Sequence, residues 1–282
     1  MESRQDQDRE EGREPRLAVV EGGVIKEPEV AEPTGEGFEP FKIVISMPTH
    51  DVVPSMFMYD FANLCAYTAL TLGANNLAEM AVNMNHGTYI HCMRQDLLDD
   101  AIRNKATHML WVDTDMRFPK DALLRLLKHN VDIVGINYSN RRVPCDFVAI
   151  KTEEPATKCW TTEKSTGLET VQYIGFGLVL MRMSVMNNLA PPPWFQNIYD
   201  PKLNDWCGED AFFCRLLGDA GIDVYIDHDL SKDCGHMGMF KYECGHAEVT
   251  QQAILKDEVE ANGNYDICRV ADGDSDELVE SE

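Results

Sequence analysis

The chain has 282 residues, a formal net charge of −23 and 44% hydrophobic residues. An excess of acid this large repels nucleic-acid phosphates at long range, which argues against tight nonspecific nucleic-acid binding unless a local basic channel overrides it. Nine cysteines without regular spacing argue against a disulfide framework and indicate a reducing compartment.

The acidity is concentrated at the two ends of the chain. Residues 1–40 hold 12 acidic and 5 basic side chains, and residues 247–282 hold 11 and 2. We predict that both ends are disordered or loosely attached, and that residues 41–246, with a net charge of −7, form one domain. The sequence contains no apolar signal segment and no apolar run of membrane-spanning length, so we expect a soluble cytoplasmic protein.

Strand and helix patterns alternate along residues 41–246. Short β-branched and apolar runs predict strands at 41–47, 79–83, 108–112, 132–137, 175–181 and 222–226. Helical spacing predicts helices at 56–72, 89–104, from 119 onward and at 209–220. This alternation predicts an α/β fold with a mostly parallel sheet flanked by helices.

Two carboxylates follow the strand at 108–112. Residues i and i+2 of an extended chain point to the same side, so Asp113 and Asp115 can face one ligand. The carboxyl ends of strands are where open α/β sheets bind ligands, and two close carboxylates favour a cation. Solvated loop acids are the alternative interpretation.

Four segments stand in an order that resembles the GT-A class of nucleotide-sugar-dependent glycosyltransferases, most closely its phage and prophage members. They are Val44–Thr49, Trp111–Pro119, Trp206–Asp210, and Ile226–Asp229 with the nearby Gly235-His236. The Asp-x-Asp motif alone is nonspecific, whereas the ordered set covers roughly 200 residues. The resemblance implies a GT-A fold, with a Rossmann-like, mixed and mostly parallel sheet, and it implies a glycosyltransferase that uses a nucleoside diphosphate sugar, foremost a UDP-sugar.

The resemblance also implies a metal site. Asp115 would bind Mn²⁺ or Mg²⁺, Asp113 would lie beside the ion and the ribose, and His236 would be a late metal ligand. A hard divalent ion takes oxygen ligands and neutralises the charge that builds on a departing diphosphate. An imidazole ligand favours Mn²⁺ over Mg²⁺. A structural histidine is the alternative for His236.

Three further residues are expected at the donor. Thr49 and Asp51, which follow the first strand, would contact the nucleoside, and Arg94 would lie near the base or the phosphates. For Arg94 the alternative is a salt bridge to acids of its own helix. Arg141 and Arg142 would meet phosphates of the donor or of a polymeric acceptor, or be solvated.

Glu209 and Asp210 are the catalytic candidates. They open a predicted helix, whose N-terminal dipole stabilises negative charge. One of them would accept a hydrogen bond from the acceptor hydroxyl and, in an inverting enzyme, act as the general base. Helix capping is the alternative. Glycines 175, 177 and 208 would let the backbone approach the sugar, and Trp206 would stack on the acceptor or pack.

The acceptor is left open by the sequence. The phage-like resemblance implies a hydroxymethylated base in phage DNA, a virion protein or a surface glycan, in the host cytoplasm if the protein is phage-encoded. Two other functions compete: a nucleotidyltransferase, which uses similar carboxylates but a Gly-rich, Lys-bearing loop that this chain lacks after its first strand, and a catalytically silent binding module.

A structural zinc site competes for His236. Cys234, His236, Cys244 and His246 supply four ligands of the type that zinc prefers, although the Cys-x-His spacing is tight for such a site. If all four bound zinc, His236 would not serve a catalytic ion.

Overall fold

The computed structural model describes residues 40–141, 145–153, 156–201 and 204–239, together with the backbone of residues 19–21 and 24–26. The acidic tail at 247–282, Arg142, Cys244 and His246 lie outside the described residues. Within the segment 1–40, two short strands, β1 (Val19–Glu21) and β2 (Val24–Lys26), form an antiparallel pair.

A seven-stranded mixed sheet forms the centre of the fold. Its strands, in chain order, are β3 (Phe41–Thr49), β4 (Ala78–His86), β5 (His108–Val112), β7 (Ile133–Gly135), β10 (Leu168–Val171), β11 (Leu178–Arg182) and β14 (Val224–Asp227). Their spatial order is β10-β14-β7-β11-β5-β3-β4. Five strands share one direction, whereas β10 and β11 run opposite to their neighbours. The predicted α/β class with a mostly parallel sheet is confirmed.

Short strands outside the central sheet pair with one another in the connecting loops. They are β6 (Met116–Arg117), β8 (Ile150–Glu153), β9 (Ala156–Lys158), β12 (Ile198–Asp200), β13 (Asp205–Cys207) and β15 (Gly235–His236). The helices are α1 (Ser55–Thr68), α2 (Ile90–Arg103), α3 (Ala122–His129), α4 (Glu209–Asp219) and α5 (His228–Lys232). A π-helical turn, Ala69–Gly73, and a 3₁₀ turn, Met183–Asn188, complete the described elements.

Both faces of the sheet are covered, as the apolar run at 109–112 predicted. Met109 and Trp111 belong to one buried cluster, which includes residues of α2 and α4. Leu110 and Val112 belong to the opposite cluster, with residues of α1 and α3. Alternate residues of β5 therefore face opposite layers, because successive side chains of a strand point to opposite faces.

Several predicted boundaries differ from the structure, among them those of the first strand and the first helix. The first strand was expected to end before Pro48, but β3 continues to Thr49. Its pairing with β5 ends at Ser46, so the proline lies beyond that ladder, where a missing N–H donor is tolerated. The first helix was predicted to reach residue 72, but its α-helical part ends at Thr68 and the π-helical turn follows.

Candidate functional site

Most of the predicted site residues converge on a cleft at the carboxyl ends of β3 and β5, whereas Asp51 and His236 are not among its lining residues. The cleft has a volume of about 260 Å³ and is closed on another side by the first turn of α4. The polar lining comes from five chain segments and consists of Thr49, His50, Arg94, Asp113, Thr114, Asp115, Tyr138, Arg141, Glu209 and Asp210. These residues are far apart in sequence but meet here because the loops that follow parallel strands lie at the same edge of the sheet.

Arg94 is the buried centre of the charged network. Its side chain is only 3% exposed, and its guanidinium donates to both oxygens of Asp113, at 2.9 and 3.1 Å, and to Oε1 of Glu209, at 3.2 Å. The guanidinium carbon lies 5.6 Å from the ring centre of Trp111 and 5.3 Å from that of Phe176. Its Nη1 is buried and has no hydrogen-bond partner among the residues that the structure describes. Arg94 thus binds acids of other elements rather than of its own helix.

Asp113 remains a poorly solvated acid despite this partner. Burial raises the pKa of its carboxyl to about 6, and the nearby acids Asp115, Glu209 and Asp210 add to this, while Arg94 opposes it. Neighbouring carboxylates repel one another when they are all ionised, so a group of them favours a cationic ligand.

Asp115, which lines the cleft, forms a carboxylate–imidazole pair with His236. Asp115 Oδ2 lies 3.3 Å from His236 Nε2 and accepts a hydrogen bond from Arg141 Nη1 at 2.7 Å. The other ring nitrogen, Nδ1, lies 2.9 Å from the Ser139 carbonyl oxygen and donates to it. This contact orients the ring so that Nε2 faces Asp115, the arrangement that second-shell carbonyls impose on metal-binding histidines.

The electrostatics of this pair follow from the same contacts. Burial alone would raise the pKa of Asp115, but the His236 hydrogen bond and the charges of His236 and Arg141 hold it below its ordinary value. Burial alone would lower the pKa of His236, but the hydrogen bonds with Asp115 and the Ser139 carbonyl raise it. Short strands β6 and β15 pair antiparallel and bring the two residues together across about 120 positions of chain.

The first turn of α4 presents Glu209 and Asp210 to the cleft. Neither acid is the N-cap residue, which is Gly208, but Asp210 Oδ1 accepts a hydrogen bond from the Ala211 amide of the first turn at 2.8 Å. Glu209 is held by Arg94, whereas burial, reinforced by Glu209, raises the pKa of Asp210. The surroundings of the two neighbouring acids therefore differ: Glu209 is bound to a buried cation, and Asp210 is made more basic than an ordinary aspartate by burial.

Tyr138 is a lining residue that sequence reasoning missed. Its ring stands edge-on to His236, with ring centres 5.0 Å apart. A Cβ at position 175 would come within 2.3 Å of the Tyr138 hydroxyl oxygen, and one at position 177 within 2.9 Å of its ring. Both glycines therefore make room for the Tyr138 side chain. Its position directly after the predicted strand at 132–137 was the available signal.

Other predicted residues have different placements. Thr49 is buried and lines the cleft, but Asp51 is exposed and its Oδ1 lies 2.5 Å from His86 Nε2, outside the cleft lining. Trp206 is 69% exposed on the β12–β13 hairpin, where it packs edge-on against Tyr199. Of the four predicted zinc ligands, Cys234 and His236 lie within the described residues. Neither lines the cleft, although Asp115, the partner of His236, does.

Comparisons with known proteins identify no family for the chain and give a distant structural neighbour. No protein-family model matches the chain, and no curated protein matches it. The chain is similar to the crystal structure of A197 from STIV, with 14% sequence identity and a TM-score of 0.43, over 72% of this chain and 97% of that one. None of the helices in the described part of the chain combines the length and apolar character that a membrane span needs.

Proposed function

We propose that the protein is a metal-dependent glycosyltransferase of the GT-A type, which transfers a sugar from a nucleoside diphosphate sugar to an acceptor hydroxyl. One observation carries the proposal. Asp115 and His236, from distant parts of the chain, face each other at 3.3 Å at the edge of a cleft that also contains two acids on a helix N-terminus. In the proposed reaction, a divalent ion would bind the diphosphate and a neighbouring acid would be the base that accepts the proton of the acceptor hydroxyl.

The residues present fit a divalent ion. Two ligands about 2.1 Å from one octahedral ion lie roughly 3 Å apart, close to the observed Asp115–His236 separation. Asp115 and His236 would hold the ion, with Asp113 beside it. A mixed carboxylate and imidazole set suits Mn²⁺ better than Mg²⁺. When bound, the ion would neutralise the negative charge that develops on the departing diphosphate.

The remaining polar lining divides between donor and acceptor. Thr49 and Asp113, at the ends of β3 and β5, would contact the nucleoside, and Arg141, whose side chain is 53% exposed, would turn from Asp115 to a phosphate. Arg94 is a positioning residue, since it holds Asp113 and Glu209 in place. Asp210 would accept the proton of the acceptor hydroxyl, because Glu209 is already bound to Arg94.

Donor binding and turnover test the proposal. Purified protein with Mn²⁺ is incubated with a panel of nucleotide sugars, UDP-sugars first, and slow hydrolysis of the donor and release of nucleoside diphosphate are measured. We expect hydrolysis of at least one donor, abolished by Asp115→Ala and by chelation. Asp223→Ala is the matched control, because Asp223 is exposed and precedes β14, at the opposite end of the sheet. Asp115→Ala protein that binds and hydrolyses every donor like the wild type would refute the proposal.

The acceptor is sought in cells that express the active protein beside Asp115→Ala. Mass spectrometry of nucleosides, virion proteins and surface glycans would reveal a sugar-mass shift present only with the active protein. Release of pyrophosphate from a nucleoside triphosphate and a sugar phosphate would instead identify a nucleotidyltransferase.

A further inference from the structure

A cluster of side chains of the types that metals bind lies outside the cleft. Cys159, Glu169 and His228 place one ligand atom each within 4.8 Å of one another, and none of the three lines the cleft. Cys159 is 2% exposed and His228 is 3% exposed, while the Glu169 side chain is 30% exposed and opens the cluster to solvent. A thiol, an imidazole and a carboxylate form a set quite unlike the oxygen-rich cleft.

Each of the three residues is anchored by its backbone. The Cys159 amide donates to the Ala149 carbonyl, and the Cys159 carbonyl accepts from Asn137 Nδ2. Glu169 is paired with Ile226 in the β10–β14 ladder, and the His228 amide donates to the Gly167 carbonyl. The side chains therefore converge from three fixed elements, which is the preorganisation that a structural metal site needs.

We propose that Cys159, Glu169 and His228 bind a zinc ion, with water as the fourth ligand. Ligands of one tetrahedral zinc ion lie about 3.3–3.8 Å apart, so side-chain adjustments on the order of 1 Å bring the three atoms to it. The thiolate selects zinc over the hard ions Mn²⁺ and Mg²⁺. Cys159 thiolate and Glu169 carboxylate together neutralise the 2+ charge.

The contacts of Cys159, Glu169 and His228 indicate which protons zinc binding would displace and which would stay. Burial, with the charge of Glu169, raises the pKa of the Cys159 thiol to about 11, so zinc must displace its proton into solvent. His228 Nε2 lies 2.9 Å from Glu169 Oε2, and Nδ1 lies 2.9 Å from Thr161 Oγ1. Coordination through Nε2 leaves the imidazole proton on Nδ1, where Thr161 accepts it. Lys151 contacts the other oxygen of Glu169, Oε1, and Oε2, which now faces His228, would coordinate the metal.

Cobalt substitution of the full-length protein tests the site. Chelator-stripped protein is titrated with Co²⁺ and Zn²⁺, and the near-ultraviolet thiolate-to-cobalt absorption and the melting temperature are recorded. We expect one thiolate-bound Co²⁺ per chain, displaced by Zn²⁺, and a melting temperature that rises with Zn²⁺. Cys159→Ser should abolish the absorption, and Glu169→Gln and His228→Gln should weaken Co²⁺ binding roughly 100-fold.

Three control variants separate this site from the alternatives. Cys214→Ser changes another buried cysteine and should leave the absorption intact. Asp115→Ala should also leave it intact, so the cleft and this site fail or succeed independently. Cys244→Ser tests the competing Cys-x-His pairs. The proposal is overturned if no thiolate absorption appears, if it survives Cys159→Ser, or if Cys244→Ser removes it. Should Cys159→Ser fail to fold, an unchanged Co²⁺ affinity of Glu169→Gln and His228→Gln would overturn it equally.

Discussion

Replacing Arg94 with methionine should destabilise the fold through the charges that it leaves behind. The substitution keeps an unbranched apolar side chain beside Trp111 and Phe176 but removes the cation that contacts Asp113 and Glu209. Removing one partner of a buried ion pair costs about 3–5 kcal/mol. We therefore expect Arg94→Met to lose about that much free energy of unfolding at pH 8.

The loss should depend on pH in a definite direction. The pKa of Asp113 is about 6 in the folded protein, above its ordinary value of 3.8, and should rise further without Arg94. The folded state then binds more protons than the unfolded state above pH 4, so stability falls as the pH rises toward the folded-state pKa. Arg94→Met should consequently be closer to wild type at pH 5 than at pH 8.

Urea unfolding in the presence of a chelator, followed by circular dichroism at the two pH values, measures both effects. In the Arg94→Met background, Asp113→Asn removes the stranded charge and should recover about 2–3 kcal/mol at pH 8. Arg103→Met is the control on the same helix, because that side chain is 68% exposed, and it should cost under about 0.5 kcal/mol. A loss below about 1 kcal/mol in Arg94→Met, or no recovery with Asp113→Asn, would refute the buried-charge reasoning.

Three further predictions follow from single contacts. Burial, with the charge of Arg182, lowers the pKa of His108 to about 4, so the unfolded state binds a proton before the folded state does. Stability should therefore fall by up to about 3 kcal/mol from pH 7 to pH 4. Urea unfolding should find a smaller loss in His108→Gln. Gly177→Ala would crowd Tyr138 and should lower the free energy of unfolding, measured in urea, by about 1–3 kcal/mol. Gly218→Ala, in open space on α4, should raise it by up to about 1 kcal/mol. Equal effects of the two substitutions would contradict the packing argument. If the proposed function holds, Asp210→Asn should lower kcat by about 10²–10⁴ without changing donor affinity measured by calorimetry; an unchanged kcat would remove it as the base.

Local patterns were sufficient to predict the main elements that position the cleft. The apolar run at 109–112 predicted a strand buried on both faces, and β5 is buried at every one of those residues. The acids at 209–210 before a helical pattern predicted the start of α4 at Glu209. Both predictions depend on neighbouring residues alone, since strand alternation and helix periodicity are short-range properties.

Pairing across the chain was beyond such patterns. The apolar run of β11 predicted a strand but carried no sign that it runs antiparallel between β5 and β7. Likewise, the acids beside Arg94 on α2 left a local salt bridge open as the alternative, whereas folding buries its guanidinium against Asp113 and Glu209, 19 and 115 residues away. Only the fold determines which acid lies near a buried cation.

The sequence by itself determined that Asp113 and Asp115 end a buried strand, because hydrophobic alternation and the carboxylate spacing are readable along one segment. Tertiary structure alone decided that Arg94 holds Asp113, that His236 faces Asp115, and that Tyr138 fills the space above two glycines. The physical reason is that charge pairing and close packing depend on distances in space, which the sheet order and the β6–β15 pairing set.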